Sequence, residues 1–530
     1  MSTPTIILPD ILVQAGFGVN DPSVIGGTEF VLGSGTNGLL GTDTLGSSVV
    51  WTGISQYVIS FTITRASTRL QGPLWNYQAG TCSILLDNAD GVFDPENLAG
   101  PFTASGSTLL TAMVPIRIRA TFSGVTYPLY SGFADGWLPG QVSYQGDYAE
   151  ITLNATDAFK VLAGITLATV GAEGAAADTG ARVTDILSRA GWYSTAEYTD
   201  IDTGDSTLQA TTLGSDALSL LQIAVDSEIG QLYVNGSGAI VFRRRRALVL
   251  DARSNTVQAV FGDLPDVVHT AGTELACASI VRADDDTTII NDVQATRVGG
   301  SLQEVKDTAS IAKYLFPRTY SRTDLILQDD LSALSWAQYV LYIGKTGESR
   351  FESLSIDPQA DPFNLWPQVL GREIGDRIQI WTRPPNVVNG AAWDLTNNFG
   401  SAPTNNFTIP TTSVPLLDVG DDFQIYLSDG VTLKENTTFT ITAIGSDFFG
   451  NTAVTFSPNA QAVLAVGDIV SQTGGSVGKD CFIAGVTHTF DGKMSTWLTT
   501  WTLQDATKYG SFMTLDNSTL GRLDNNALSI

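Results

Sequence analysis

The sequence predicts a mainly β, multidomain protein: antiparallel β-barrels with smaller α/β parts, a helix-helix-hairpin module and an inserted β-domain. Three observations lead there. Apolar and polar residues alternate over many short segments, the period at which a strand buries one face. Turn residues punctuate those segments, with 52 Gly and 20 Pro in the chain. Helical spacing is confined to a few stretches, after residue 180 and around 331–343. At 530 residues, 43% of them hydrophobic, the chain exceeds what one core supports, and three to five domains are expected.

Residues 1–49 are Gly-rich and almost free of cations, with short apolar pieces such as Phe30-Val31-Leu32. Too little apolar surface is present for a core, so an extended arm or hairpin packed on another domain or subunit is expected. Gly33-Ser34-Gly35-Thr36-Asn37-Gly38 carries the letters of a dinucleotide-binding turn. Leu39-Leu40-Gly41-Thr42-Asp43 after it is too Gly-rich for the helix that such a turn must open, so the expectation is a flexible loop.

Residues 50–165 read as a small antiparallel barrel. Pro115 to Phe122 alternates with period two, Ser123-Gly124 turns, and Val125 to Tyr130 returns. Tyr148 to Asp157 is another strand, leading into Ala158-Phe159-Lys160-Val161-Leu162. In 166–250, an Ala/Gly/Asp linker from Gly171 to Gly180 precedes Val183, Ile186, Leu187 and Ala190, spaced for a short amphipathic helix that Gly191 stops. A second helix starts near Ser215, a residue able to cap it, with Leu218, Leu221 and Val225 inward. Gln231 to Val234 and Ala239 to Phe242 then flank Asn235-Gly236-Ser237-Gly238, a hairpin signal.

Residues 251–375 mix strands such as Asp292 to Val298 with two helical stretches, the clearer at Leu331 to Ile343, and predict a second barrel with helices. In that helix Leu334, Tyr339 and Leu341 do not keep a clean period. Gly375 to Trp381 opens a last β-domain, 376–385 and 476–508, that closes with Phe482 to Leu503. Between them 386–475 is Asn/Thr/Phe-rich without an Arg. Its pieces Asp422 to Leu427, Phe439 to Ile444 and Thr452 to Phe456 read as strands of an inserted, outward-facing β-domain. Residues 509–530 read as a C-terminal arm, and no short fixed period suggests a solenoid.

Charge narrows the function classes. Net charge is −26 with a pI near 4.2, which argues against gripping a phosphate backbone but not against an acidic wall past which DNA slides. Only 15% of residues are charged, against roughly 25% in an average domain. Two readings stay open: surface hidden against partners, or a surface made polar by hydroxyls. Arg outnumbers Lys 20 to 8, a bias shared by interfaces and by GC-rich genomes. No basic stretch leads into an apolar one at the start, and no apolar run approaches membrane-spanning length. Synthesis in a cytoplasm without membrane insertion is the expectation.

Candidate chemistry is sparse. His269 and His488 are the two histidines, far apart in sequence, with no Cys or carboxylate at ligand spacing; His488 sits on the strand Gly485 to Phe490, as an ordinary strand histidine does. Cys82, Cys277 and Cys481 are isolated and read as small buried hydrophobes. Asp87-Asn88-Ala89-Asp90-Gly91 and Asp284-Asp285-Asp286 miss the spacing of a calcium loop and read as Asx turns. Arg243 to Arg246, the densest cationic run, terminates a predicted strand and lacks the aromatic or further basic support of a nucleic-acid site; alternate arginines on opposite faces read as partners for acidic neighbours or another subunit, with interface salt bridges favoured over DNA contact. No catalytic, cofactor-binding or metal-ligating residue is assigned, and no cofactor is expected.

Val50-Trp51-Thr52-Gly53-Ile54-Ser55-Gln56-Tyr57-Val58, Ala79 to Leu86 and Asp87 to Asn97 follow one another in an order that resembles the tail-hub (minor tail) proteins of long, non-contractile-tailed phages of actinobacteria. The helix-helix-hairpin order and Phe482 to Phe490 with Trp497 to Leu503 resemble later parts of the same family, itself similar to the central hub of contractile-phage baseplates and type VI secretion spikes. The resemblance implies a structural virion protein and no enzyme. It implies a homotrimer whose two tube-like barrels per subunit form a six-membered ring on the hexameric tail tube. It implies tail-tube, tip or fibre and tape-measure proteins as partners, with DNA passing unbound during ejection from the tail tip of the virion. The rival class is an extracellular carbohydrate- or receptor-binding β-protein, which would share the Thr/Asn/Trp-rich strands.

Overall fold

The computed structural model describes residues 6–17, 50–69, 74–104, 106–139, 149–168, 174–192, 198–263, 265, 268–269, 271–347, 349–382, 392–394, 404–409, 422–427, 433–435, 437–446, 452–465, 468–472, 477–513 and 527–528. The chain forms two compact units: 1–259 with 275–378 and 480–530, and 260–274 with 379–479. The fold is mainly β, with several sheets.

The first unit begins with strands β1 (Asp10–Phe17), β2 (Val50–Gly53), β3 (Val58–Arg65), β4 (Thr81–Asp87), β5 (Pro115–Phe122), β6 (Val125–Pro139) and β7 (Glu150–Thr156), followed by helix α1 (Ala158–Gly164). Alternation does here what it predicts. Ile116, Ile118, Ala120 and Phe122 of β5 are buried, as are Cys82, Ile84 and Leu86 of β4 and Ile151, Leu153 and Ala155 of β7. The β5–β6 turn is tight because Ser123 and Gly124 both take positive φ, +49° and +81°. Within the segment expected as an extended arm or hairpin packed on another domain or subunit, Asp10–Phe17 is a strand hydrogen-bonded between β2 and β5. Val13 and Ala15, fully buried, belong to the sheet's core face, and an eight-residue alternation was too short to stand out from its Gly-rich surroundings.

Next come α2 (Thr179–Arg189), β8 (Thr199–Ile201), α3 (Ala217–Glu228), β9 (Gln231–Val234) and β10 (Ile240–Arg243). Val183, Ile186 and Leu187 of α2 are buried, and Gly191 beyond it takes φ +72°. The cap of α3 is Asp216 and not Ser215: its Oδ1 accepts the Ser219 N–H at 2.8 Å. Leu221 and Val225 are buried but Leu218 only partly; Ala217 and Ala224 complete the stripe. β9 and β10 form the antiparallel hairpin, with Asn235 Oδ1 accepting the N–H groups of Ser237 and Ala239, each at 3.0 Å. Ala158, Phe159 and Leu162 of α1 share a core with α2, α3 and the hairpin, so the first sheet and the helical module are joined through α1.

The remainder of this unit supplies β11 (Ser279–Ala283), β12 (Asp292–Arg297), β13 (Gln303–Lys306), β14 (Thr319–Leu325), α4 (Asp330–Gly344), β15 (Arg350–Ile356), β16 (Val477–Asp491, entering from the second unit) and β17 (Thr496–Asp505). These strands divide between two sheets. β13, β12 and β14 form a small mixed sheet that shares a core with α4. β11, β15, β17 and β16 run on antiparallel into β3. The blurred period of α4 has a simple cause: its buried residues are Ala333, Trp336, Ala337, Tyr339, Val340, Ile343 and Gly344, and two alanines occupy stripe positions that a search for large residues passes over. Past Tyr509, in the region expected to be an arm, Phe512–Met513 pairs with Ala527–Leu528.

In the second unit a six-stranded sheet runs in the order Ala392–Asp394, Ile469–Gln472, Asp422–Tyr426, Phe439–Ser446, Thr452–Ala460, Thr404–Ile409. All three strands foreseen between 386 and 475 are present. Phe407, Phe423, Phe439 and Phe456 meet in its core, with ring centroids 5.1–5.5 Å apart. Near the two ends of this stretch, a Cβ on Gly478 would lie 2.6 Å from the Trp381 ring, so the ends lie side by side. Among the described residues no helix is long and apolar enough to cross a membrane.

Candidate functional site

His488 is buried in β16, with Nδ1 2.9 Å from Thr499 Oγ1. Burial, with the Arg65 charge nearby, pushes its pKa down to about 3, so the ring stays neutral. Thr499 in turn accepts the Trp497 indole N–H at 2.9 Å. This imidazole packs against an indole and contacts a hydroxyl, and among the described residues no carboxylate is hydrogen-bonded to it to orient it as a base. His269 lies in a separate strand, Val268–His269. Cys82 and Cys481 are buried as expected, whereas Cys277 is only half-buried: it follows the end of Gly272–Ala276, outside any inward-facing strand position. The Gly33–Gly38 loop lies outside the described residues.

The acidic runs are spent on local structure. Asp87 Oδ1 accepts the Ala89 N–H, Asn88 Oδ1 the Phe93 N–H and Asp94 Oδ1 the Glu96 N–H, an Asx-turn ladder. Asp285 takes both ends of the Arg350 guanidinium at 3.0 Å, which holds its carboxyl well below the usual range. Asp286 pairs with Arg318. Among the described residues no three metal-capable side chains converge.

Arg243 to Arg246 is not an alternating strand run. Only Arg243 belongs to β10, where it pairs with Asp200 and Asp202; the next three residues turn away. Arg246 holds Asp205 through Nε at 2.9 Å and Nη2 at 2.7 Å. Burial alone would raise the Asp205 carboxyl; the hydrogen bonds and charge of Arg246 outweigh it and leave the carboxyl below its ordinary range. Arg245 turns inward over the Tyr339 ring, 5.1 Å from its centroid. The pairs foreseen for this run therefore form within the subunit.

A buried polar seam escaped the sequence reading. Arg65, 5% exposed, follows Phe61 and Ile63 on the inward face of β3 and donates to Glu373 Oε1 at 2.5 Å. Asp157 caps α1 by accepting the Phe159 N–H at 3.0 Å, and its other oxygen accepts the Gly80 N–H at 2.5 Å. Burial raises the Asp157 pKa to about 7, although both N–H groups and Arg65 pull it down. Tyr130 donates to the Gly80 carbonyl at 3.4 Å. Asp before an apolar run is a readable cap signal. Nothing local says that the same carboxylate reaches β4, 77 residues back.

This seam is mechanical in chemistry: Arg65 meets Glu373 through Nη1 while its Nε makes no hydrogen bond among the described residues, and Asp157 and Tyr130 meet backbone groups of Gly80, joining β3, β6 and α1 to the start of β4. No family model and no curated protein matches the sequence. Among solved structures the chain is similar to a tail protein from Neisseria meningitidis MC58, at 8% identity and TM-score 0.47, covering 94% of this chain and 98% of that one. It is also similar to a 43 kDa tail protein of prophage MuSo2 from Shewanella oneidensis, at 10% identity and TM-score 0.41, covering 86% and 95%. A third is the E. coli c3393 protein, a type VI secretion component similar to T4 bacteriophage tail proteins gp27 and gp5, at 9% identity and TM-score 0.36, covering 86% and 74%. At such scores the function of this chain has to be read from its own residues.

Proposed function

We propose that the chain is a structural subunit of a phage tail, the hub at the distal end that joins the tail tube to the tip proteins. One observation carries the reading. The sequence segments that resemble tail hubs, distant along the chain, are adjacent in the first unit. Strand β3 pairs with β4 on one side and with β16 on the other, Ile63 facing Cys82 and His488. The helix-helix-hairpin module shares its core with α1, which leads directly out of that sheet. Pairing an early strand, β3, with a late one, β16, ties distant parts of the first unit into one antiparallel sheet.

In this reading the subunit acts as a homotrimer, with tail-tube, tip or fibre and tape-measure proteins as neighbours, at the tail tip of the virion. DNA passes it without being bound. The net charge of −26 per chain supports that last point, since an acidic lumen repels DNA. The role is structural and needs no catalytic residue. The test is an image of the purified particle with this chain tagged in the 386–475 insertion, combined with mass measurement of the recombinant protein. Three tags around the distal end of the tube are expected. Tags along the tail shaft, on the capsid, or at six copies per ring would overturn the hub reading.

A further inference from the structure

The first unit carries a half-open cavity of about 50 Å³ between Leu74–Tyr77, the end of α3, α4 and Tyr509. Six of its sixteen lining residues are aromatic, and the polar atoms of its walls are largely engaged. Gln231 donates to Tyr77 Oη at 2.7 Å and Gln504 to Tyr509 Oη at 2.7 Å. Trp336 donates its indole N–H to the Asp226 carbonyl at 3.1 Å. Arg322 and Asp226 neutralise each other across 3.1 Å, and Arg322 also holds Asp324.

Arg245 is the exception. The residue is only 8% exposed, its backbone N–H is fixed on Glu228 Oε1 at 3.2 Å, and its guanidinium lines the cavity over Tyr339. Among the described residues that guanidinium donates no hydrogen bond and makes no ion pair, although other arginines of this unit, such as Arg65, Arg243, Arg246, Arg253, Arg350 and Arg377, do pair with carboxylates. A guanidinium largely covered by protein and without a counter-charge keeps only the solvation that the pocket allows, so an anion entering there meets a charge with no competing partner.

We propose that this cavity is a carboxylate-binding site built around Arg245. The chemistry selects the class. One uncompensated guanidinium asks for one negative charge, and its planar fork matches a carboxylate with two parallel hydrogen bonds. The volume is a few times the roughly 10–15 Å³ that one water needs, enough for a carboxylate on a short stem. Flat indole and phenol walls suit a planar group. The carboxylate has two possible sources, a free short-chain acid or an acidic side chain of a partner protein, and the experiment separates them.

The full-length protein is mixed with trifluoroacetate and its ¹⁹F line is followed at constant ionic strength. Broadening that excess acetate reverses and equal chloride does not is expected for the wild type. The Arg245→Met and Arg245→Gln variants should bind roughly tenfold more weakly or worse, as loss of a bidentate charge-assisted pair implies. A blocked Gly-Glu-Gly peptide then competes: displacement as effective as that by acetate assigns the site to a partner's side chain, and failure to displace assigns it to a free acid. Absence of acetate-reversible broadening in the wild type overturns the proposal, whatever the variants do. So does unchanged broadening in a variant whose circular dichroism shows it folded.

Discussion

Replacing Asp157 by Asn tests the buried seam most directly. The carboxyl pKa lies at about 7 in the folded chain against 3.8 unperturbed, because burial disfavours its charged form. Between those values the folded state holds a proton that the unfolded state has lost, so stability falls as pH rises. The contribution is fully present below about pH 4 and is lost as pH passes through about 7. Three units at 1.36 kcal/mol each bound the effect at roughly 4 kcal/mol, of which about 2–3 kcal/mol falls between pH 5 and 8. Asn keeps an acceptor for one N–H group but does not titrate. Urea unfolding at fixed ionic strength, followed by Trp fluorescence at both pH values, measures the difference between wild type and Asp157→Asn. That difference should shift in the variant's favour by about 2–3 kcal/mol from pH 5 to pH 8. Parallel pH profiles would refute the reasoning and mean that water reaches the carboxylate.

His488 has the opposite sign: its folded pKa of about 3 lies below the ordinary 6.5, so its contribution is present above pH 6.5 and is lost as pH falls toward 3. A His488→Gln variant should therefore show a flatter acid limb in the same unfolding assay, with particle assembly at neutral pH intact. Gly238 takes φ +94°, and a Cβ there would lie 2.8 Å from that of Ser131. Gly238→Ala should cost about 1–3 kcal/mol, read as a lower urea midpoint, because the hairpin tip must lift from β6. Deleting 386–475 with a Gly/Ser bridge should leave the first unit folded and its oligomeric state by mass unchanged; loss of assembly would make the segment part of the subunit interface.

Much of the local structure was legible because its causes are local. Period-two burial in β4, β5 and β7, the Ser123-Gly124 turn, the Asn235–Gly238 hairpin and the strands within 386–475 each follow from side-chain spacing and backbone preference over fewer than ten residues. Where small residues carried the pattern, reading by size failed: Ala333 and Ala337 hid the face of α4, and Val13 and Ala15 lay unnoticed in a Gly-rich segment. The cap of α3 was misplaced by one residue, since Ser215 and Asp216 are both good caps and only backbone geometry decides between them.

The sequence by itself determined the fold class, the position of most strands and helices, and the strongly acidic character of the surface. It could not say which strands pair across hundreds of residues. That β3 lies between β4 and β16, that Asp157 reaches Gly80, and that Arg65 finds Glu373 are results of tertiary packing. The same holds for the arginine run. Four adjacent guanidinium groups look equivalent in sequence, yet three meet carboxylates, while Arg245 lies over Tyr339 with no carboxylate partner among the described residues. The physical reason is that charge partners and burial depend on distances between segments, whereas spacing along the chain records only the period of each segment alone.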